Sequence, residues 1–176
     1  HQHFKLLPSL TVYENILLGA EITQKKGGMK TPFIDQKEEI KRVEKLIQEN
    51  HLELNATDKI EDISVGGRQR VEILKMLYRN VDILILDEPL NGLDEPTAVL
   101  TPQEVDELIA TLKNLKEQGK TIIVITHKLR EVMELADSIT VIKQGKVVGN
   151  VLKKDTSERE LAQMMVGRDV VLTVNN

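Results

Sequence analysis

Two adjacent carboxylates, Asp87 and Glu88, directly follow an apolar run that begins at Ile83. Such a run is typical of a strand buried in a parallel sheet, and open α/β sheets bind ligands at the carboxyl ends of their strands. An aspartate that holds Mg²⁺ beside a glutamate that can take a proton from water suits phosphoryl-transfer chemistry. By itself, however, the pair is more often an acidic turn behind a buried strand, so other residues are needed to support the chemistry.

A second candidate position is the run from Ser64 to Gly67, which leads into a predicted helix over Val71–Tyr78. Small residues before a helix leave backbone N–H groups at its positive end, where phosphate binds well. In isolation, a serine cap followed by a glycine turn is the more common meaning of these residues. His127 is a third candidate because it ends a second apolar strand, 121–126, although a histidine can equally be an ordinary residue at a helix start.

Strands and amphipathic helices alternate around these positions. A strand within 81–86, a helix over 102–118 that ends before Gly119 and the strand at 121–126 predict a parallel sheet with helical crossovers. Thr11 and Glu14 predict a capping box at the start of the first helix. The other predicted elements are helices over 10–19, from Asp35, over 129–136 and over 157–166, a hairpin of 138–142 with 146–152, and an exposed loop over 23–32.

The composition limits the classes of function. The chain of 176 residues suffices for one well-packed domain, and its net charge of −4 gives no electrostatic case for nucleic-acid binding. Cysteine is absent and only four histidines are present, so metal chemistry would use oxygen ligands, as Mg²⁺ chemistry does. No apolar run reaches the length of a membrane span, and the first residues lack a signal-peptide layout. We therefore expect the chain to begin within a domain and to meet a membrane only through a partner.

Read together, these candidates resemble the motifs of an ATP-binding cassette (ABC) ATPase, over nearly the whole chain. The matching motifs, in chain order, are Gln2, Ser64–Gly66, Asp87–Glu88 and His127. Three further stretches, Arg70–Lys75, Thr97–Glu104 and Met164–Arg168, look most like the first cassette of tandem-cassette importers for sugars and nucleosides. The resemblance implies an α/β fold, with an incomplete P-loop NTPase-like parallel sheet, helical crossovers and an ABC-type α-helical subdomain.

The same resemblance implies a domain organisation. Residues 1–9 would be a remnant of the glutamine loop of the nucleotide-binding core, and residues 10–79 the α-helical subdomain with the signature motif and its helix. Residues 80–152 would form the Walker B, D-loop and H-loop part of the core, and residues 153–176 the C-terminal helix and tail.

It also implies site residues. Gln2 would touch Mg²⁺ and the attacking water, and Asp87 would position Mg²⁺ through water. Glu88 would be the base for the hydrolytic water, and His127 would bind the γ-phosphate and steady the transition state. Ser64, Gly66 and Gly67 would belong to the surface that engages ATP held mainly by the opposite cassette. The cofactors would be ATP and Mg²⁺.

The function that the resemblance implies is an ATP-binding and ATP-hydrolysing subunit that energises import of a sugar or a nucleoside-type solute. Its partners would be transmembrane permease subunits, a second cassette and, indirectly, a solute-binding protein, without nucleic acid. It would be peripheral on the cytoplasmic face of the cell membrane. The alternative is a non-catalytic cassette fragment that acts only as an interaction module, and an unrelated Mg²⁺-dependent phosphohydrolase is a more distant option.

Two departures from the family pattern bear on activity. The sequence contains no G-x-x-x-x-G-K-[ST] phosphate loop, the Walker A motif, so we expect the chain by itself neither to bind ATP tightly nor to hydrolyse it. In addition, Leu86–Pro89 recurs as Leu93–Pro96, seven residues later. Since Gly92 is a turn signal and the first copy follows an apolar run, we assign the chemistry to Asp87 and Glu88.

Overall fold

The computed structural model describes residues 6–24, 36–89 and 100–166, with the backbone only for 19–24. The chain divides into two compact units, 1–125 and 126–176. Within the described ranges, no helix has the length and apolar character needed to cross a membrane.

Three helices form the first part of unit 1: α1 (Val12–Gln24), α2 (Gln36–Glu49) and α3 (Val65–Tyr78). The predicted capping box at the start of α1 is confirmed, because the amide of Glu14 donates to Thr11 Oγ1 over 3.3 Å and the amide of Thr11 donates to Glu14 Oε1 over 3.2 Å. Helix α1 continues past residue 19, where the sequence predicted its end, and takes in the first two residues of the predicted loop. The rest of that loop, together with the predicted cap Asp35, lies outside the described residues.

Helix α2 buries a single apolar stripe, as its sequence predicts, with Val43 fully buried and Ile47 nearly so. Its first turns also contact α3, since the Tyr78 hydroxyl donates to Glu39 Oε2 over 2.6 Å and the Arg42 guanidinium lies 4.6 Å from the centre of the Tyr78 ring. Burial and the hydrogen bond to Glu39 raise the pKa of Tyr78 to about 12. The tyrosine therefore stays neutral and keeps its donor at physiological pH.

The second part of unit 1 is a parallel pair of strands, β1 (Ile83–Asp87) and β2 (Thr121–Ile125), joined through helix α4 (Pro102–Glu117). In the register, Leu84 lies beside Ile122 and Asp87 beside Ile125. The predicted strand–helix–strand order and parallel pairing are thus confirmed. Helix α4 begins with a second capping box, between Thr101 and Glu104, and ends before Gly119, whose φ of +89° favours glycine.

The sequence predicted buried strands, and in the described residues this prediction is wrong for one face of each strand. Leu84 and Leu86 are buried, but the alternate positions of β1, Ile83 and Ile85, are 55% and 60% exposed. On β2, Ile123 and Ile125 share that exposed face. The physical reason is that side chains of a strand alternate between two faces, and among the described residues the other elements cover only the face of Leu84 and Leu86. A continuous apolar run does not reveal this, because both faces carry the same residue types.

Unit 2 contains helix α5 (Leu129–Leu135), an antiparallel hairpin of β3 (Ser138–Lys143) and β4 (Lys146–Leu152), and helix α6 (Glu158–Val166). The predicted hairpin turn is confirmed, with positive φ angles at Gln144 and Gly145. Helix α6 packs against β3 and α5, and its Leu161 is fully buried. A Cβ at Gly149 would collide with Met164 Sδ, so the methionine side chain lies directly over this glycine.

Candidate functional site

Asp87 and Glu88 lie together at the carboxyl end of β1. Asp87 is the last residue of the strand and is exposed, while Glu88 is half-buried and its amide donates to the carbonyl of Ile125 over 2.7 Å. Glu88 has a φ of +47°, in the left-handed region that costs a non-glycine residue about 1 kcal/mol. Four other described non-glycine residues, His51, Glu53, Asn80 and Gln144, also have positive φ angles, so the angle at Glu88 turns the chain behind β1 and does not by itself mark a functional site.

Helix α3 begins at Val65, earlier than predicted, so Gly66 and Gly67 belong to its first turn and do not form a separate glycine turn. Ser64 is the N-cap, and its Oγ accepts the amide of Gly67 over 3.0 Å. The sequence placed the start too late because glycine has low helix propensity, whereas the serine cap and the packing of the following turns offset that preference here.

The first turn of α3 holds a carboxylate from another helix. Glu104, in the first turn of α4, accepts the amide of Gly66 at its Oε2 over 2.6 Å. A Cβ at residue 66 would clash with this carboxylate and would lie only 3.1 Å from Glu104 Cβ, so the glycine leaves room for the contact. The amides of Gly66 and Gly67 are therefore both hydrogen-bonded within the chain.

The pKa of Glu104 reflects these contacts. Burial raises the pKa, but the hydrogen bonds that the carboxylate accepts from the Gly66 amide, from Thr101 and from the Ser64 hydroxyl outweigh it, so the pKa lies below its ordinary value of 4.5. Glu104 is therefore a carboxylate at neutral pH, and its negative charge lies at the positive end of α3.

Sequence reasoning did not assign Glu104 to the site. The pattern Thr101-x-x-Glu104 before an apolar stripe is a capping-box signature, and it does mark the start of α4. The contact with Gly66, however, joins residues that are 38 positions apart. No local pattern in the sequence signals such a contact.

The other predicted site residues are placed as follows. Gln2 lies outside the described residues. His127 belongs to unit 2, where it is exposed and precedes α5, beside a turn in which the Lys128 amide donates to Thr126 Oγ1 over 3.1 Å. Within unit 1 the structure brings together Asp87 with Glu88 at the end of β1, and Ser64 with Gly66 and Gly67 at the start of α3.

The strand-end carboxylates suit Mg²⁺. No group of three or more histidine, cysteine, aspartate or glutamate side chains in the described ranges is arranged to hold a metal ion. Mg²⁺ does not need such a cage, because it keeps several waters and is commonly held by one or two carboxylates together with substrate phosphates. The exposed Asp87 carboxylate fits this mode of binding.

A second charged contact joins α3 to α4, one helical turn beyond the first. Arg70 Nη1 donates to Glu107 Oε2 over 2.8 Å, and the two side chains are 10% and 32% exposed. We expect Glu107→Leu to lower the free energy of unfolding by about 2 kcal/mol, because it leaves the buried guanidinium without its carboxylate. Arg70→Met should cost less, since the partly exposed carboxylate that remains can be hydrated. Urea unfolding followed by circular dichroism measures both, and an equal loss for the two variants would contradict this asymmetry.

Comparison with known proteins places the chain in a family. The sequence profile of the family described as "ABC transporter" matches residues 1–91. The nucleoside import ATP-binding protein NupA of Lactococcus lactis is 49% identical over 170 residues, which cover 97% of this chain and 31% of NupA. A putative carbohydrate transport ATP-binding protein of Mycoplasma pneumoniae is 42% identical over 180 residues, covering 100% of this chain and 30% of that protein. The chain thus spans about a third of the length of these curated relatives.

Solved structures of ABC transporter proteins are also similar to this chain. CbiO1 of Clostridium perfringens, part of the ABC transporter complex CbiONQ, is 30% identical with a TM-score of 0.64, over 96% of this chain and 59% of CbiO1. MJ1267, an ATP-binding cassette of an ABC transporter, superimposes with a TM-score of 0.70 over 97% of this chain and 65% of its own; at 24% identity it supports the fold alone.

The α/β fold with its parallel strand pair and the helices before it is that of a nucleotide-binding cassette. This chain belongs to the ABC transporter ATPase family. The resemblance and the fold class predicted from the sequence motifs are both confirmed.

Proposed function

We propose that this chain is part of an ATP-binding and ATP-hydrolysing subunit that energises the import of a sugar or a nucleoside-type solute. The observation that carries the proposal is the pair Asp87 and Glu88 at the carboxyl end of a parallel strand. Family membership makes ATP the nucleotide, and the names of the relatives, which include nucleoside and carbohydrate transport, favour the solute class.

The residues take the following roles in the proposed mechanism. Bound Mg·ATP supplies the phosphoryl group. The Asp87 carboxylate would hold Mg²⁺, which would supply charge stabilisation for the transferred phosphoryl group, and the neighbouring Glu88 carboxylate would accept a proton from the attacking water. Glu88 suits this role because its backbone is fixed by the hydrogen bond to Ile125, so its side chain starts from a defined position. Gln2 and His127 would complete the proposed set. Gln2 would contact Mg²⁺ and the attacking water, and His127 would donate a hydrogen bond to the γ-phosphate.

The start of α3 is the proposed contact with a second cassette. Ser64, Gly66 and Gly67 present a hydroxyl and backbone N–H groups at the positive end of a 14-residue helix, a place suited to a phosphate. A related ATP-binding cassette, MJ0796, which is 28% identical with a TM-score of 0.61, forms a dimeric structure bound to ADP and Pi. We propose the same pairing here, with residues 10–79 as the helical subdomain and the other domain limits as predicted from the sequence.

The remaining partners follow from the proposed transport function. Permease subunits would carry the solute across the membrane, and a solute-binding protein would contribute indirectly. The subunit would then be peripheral, on the cytoplasmic face of the membrane.

A chimera tests the proposal. In the Lactococcus nucleoside importer subunit, this chain would replace the 170-residue segment to which it is 49% identical. We expect the chimera to hydrolyse ATP and to restore nucleoside uptake in cells that lack the native subunit. A folded chimera that binds its permease but supports neither activity would contradict the proposal.

The alternative, an interaction module without hydrolysis, is favoured for the isolated chain by the absence of a Walker A motif from this sequence, and the sequence repeat is a second departure that could spoil a contact between cassettes. Because Leu93–Pro96 repeats Leu86–Pro89, a second chimera that lacks residues 90–96 is the matched control. Activity in both chimeras supports the ATPase proposal. Activity only after the deletion would show that the cassette framework is competent and that the natural chain is the interaction module. We also propose that the 176-residue chain by itself is inactive, which calorimetric titration with Mg·ATP would contradict if it showed micromolar binding.

A further inference from the structure

The start of α3 is already occupied by an anionic side chain of the same protein, the carboxylate of Glu104. The Gly66 amide donates to Glu104 Oε2 over 2.6 Å, and the Gly67 amide donates to Ser64 Oγ over 3.0 Å. The Ser64 hydroxyl also donates to the Glu104 carboxylate. The groups proposed to meet a nucleotide phosphate are therefore engaged by a carboxylate from α4 and by the helix cap.

We propose that Glu104 is an autoinhibitory residue that occupies the phosphate-binding end of α3 and must leave it before a phosphate can bind there. The inference rests on the proposed function, because it takes the start of α3 as the phosphate contact. The proposal adds one conformational step to that function, the movement of the Glu104 side chain away from the start of α3.

Charge and geometry both require that Glu104 leave before a phosphate binds at the start of α3. A phosphate oxygen that accepts the Gly66 amide would lie at the position of Glu104 Oε2, and two oxyanions in hydrogen-bonding contact with one donor repel each other strongly. The pKa of Glu104 is lowered, so the carboxylate does not become neutral at physiological pH and cannot simply share the position.

Glu104 can leave without unfolding α4. The amide of Glu104 donates to Thr101 Oγ1 over 3.2 Å, and this backbone contact at the start of α4 does not involve the Glu104 carboxylate, whereas the bond from the Thr101 hydroxyl to Glu104 Oε1 would be free to break. The ion pair between Arg70 and Glu107 joins the same two helices and does not involve Gly66. The two helices therefore stay joined when the contact with Gly66 opens.

Amide chemical shifts of the ¹⁵N-labelled 176-residue chain test the proposal, with inorganic phosphate as the probe at constant ionic strength. We expect Glu104→Gln to lower the phosphate concentration that half-saturates the shifts of Gly66 and Gly67 at least about tenfold, because hydrogen bonds to charged groups are the stronger ones. Glutamine retains the capping-box chemistry at this position. Glu104→Ala, which removes the acceptor completely, should give a reduction at least as large.

Asp106→Asn is the matched control, because it removes the same charge from an exposed position on the same helix. It should leave the half-saturating concentration close to that of the wild type. Equal phosphate affinity in the wild type, Glu104→Gln and Glu104→Ala would overturn the autoinhibitory role while leaving the proposed phosphate contact in place. No shift change at residues 64–68 in any variant would overturn both.

Discussion

In the active chimera, Glu88→Gln is expected to lower the rate of ATP hydrolysis by at least about 100-fold, since a positioned general base contributes roughly 10² to 10⁴. Glutamine has nearly the same shape as glutamate but cannot accept the proton of the attacking water. The backbone at residue 88, with its φ of +47° and its hydrogen bond to Ile125, does not depend on the side-chain charge. ATP binding should therefore persist, and the measurement is a phosphate-release assay beside a nucleotide-binding assay.

Asp82→Asn is the control for the loss of an acid near this strand. Asp82 immediately precedes β1, at the end opposite Glu88, and its side chain is 97% exposed, 4.0 Å from the Lys120 ammonium. Its replacement should leave hydrolysis within about twofold of the parent, because exposed ion pairs contribute little. If Glu88→Gln retained hydrolysis at the level of the control, Glu88 would not be the base.

The features that the sequence predicted well depend on residues close together in the chain. The capping box of Thr11 with Glu14 and the end of α4 before Gly119 are set by hydrogen bonds and φ angles within one turn. The parallel pairing of β1 with β2 is less local, but it follows from two apolar runs separated by one helix. The carboxylates Asp87 and Glu88 could be placed because they directly follow the first run.

The features that the sequence did not predict depend on residues far apart in the chain. Glu104 and Glu107 lie one turn apart on α4, and they contact Gly66 and Arg70, which lie one turn apart on α3. Each pair is visible as a helical spacing, but the register of one helix against the other is set by packing. The signature glycines and the carboxylate that occupies their amides could therefore be connected only through the structure.

The exposed face of β1 is a further feature that the sequence did not predict. Its apolar run predicted a buried strand without distinguishing the faces, yet the described residues cover only the face of β1 with Leu84 and Leu86. The sequence could not distinguish the two faces, because isoleucine and leucine contribute similar apolar area wherever they lie. Which face is covered is a property of the surrounding elements.

Leu84→Ala is expected to lower the free energy of unfolding by about 3 kcal/mol, while Ile85→Ala, one residue further along β1, should cost less than about 1 kcal/mol. Leu84 is fully buried, so truncation loses its transfer free energy and leaves a cavity. Ile85 is 60% exposed on the opposite face, so its truncation creates no enclosed cavity. Urea unfolding of the 176-residue chain, followed by far-ultraviolet circular dichroism, measures both variants.

Leu84 and Ile85 are well matched for this comparison, because both lie on β1, both pair with β2 through the backbone and both have a similar side-chain volume. Only the covered face differs, so the difference of about 2 kcal/mol measures burial without a change in strand pairing. Equal losses for Leu84→Ala and Ile85→Ala would show that both faces of β1 are covered in solution, and the sequence-based expectation of a doubly buried strand would then be right. A large loss at Leu84 alone would instead establish that the buried face of Leu84 and Leu86 fixes the strand that presents Asp87 and Glu88.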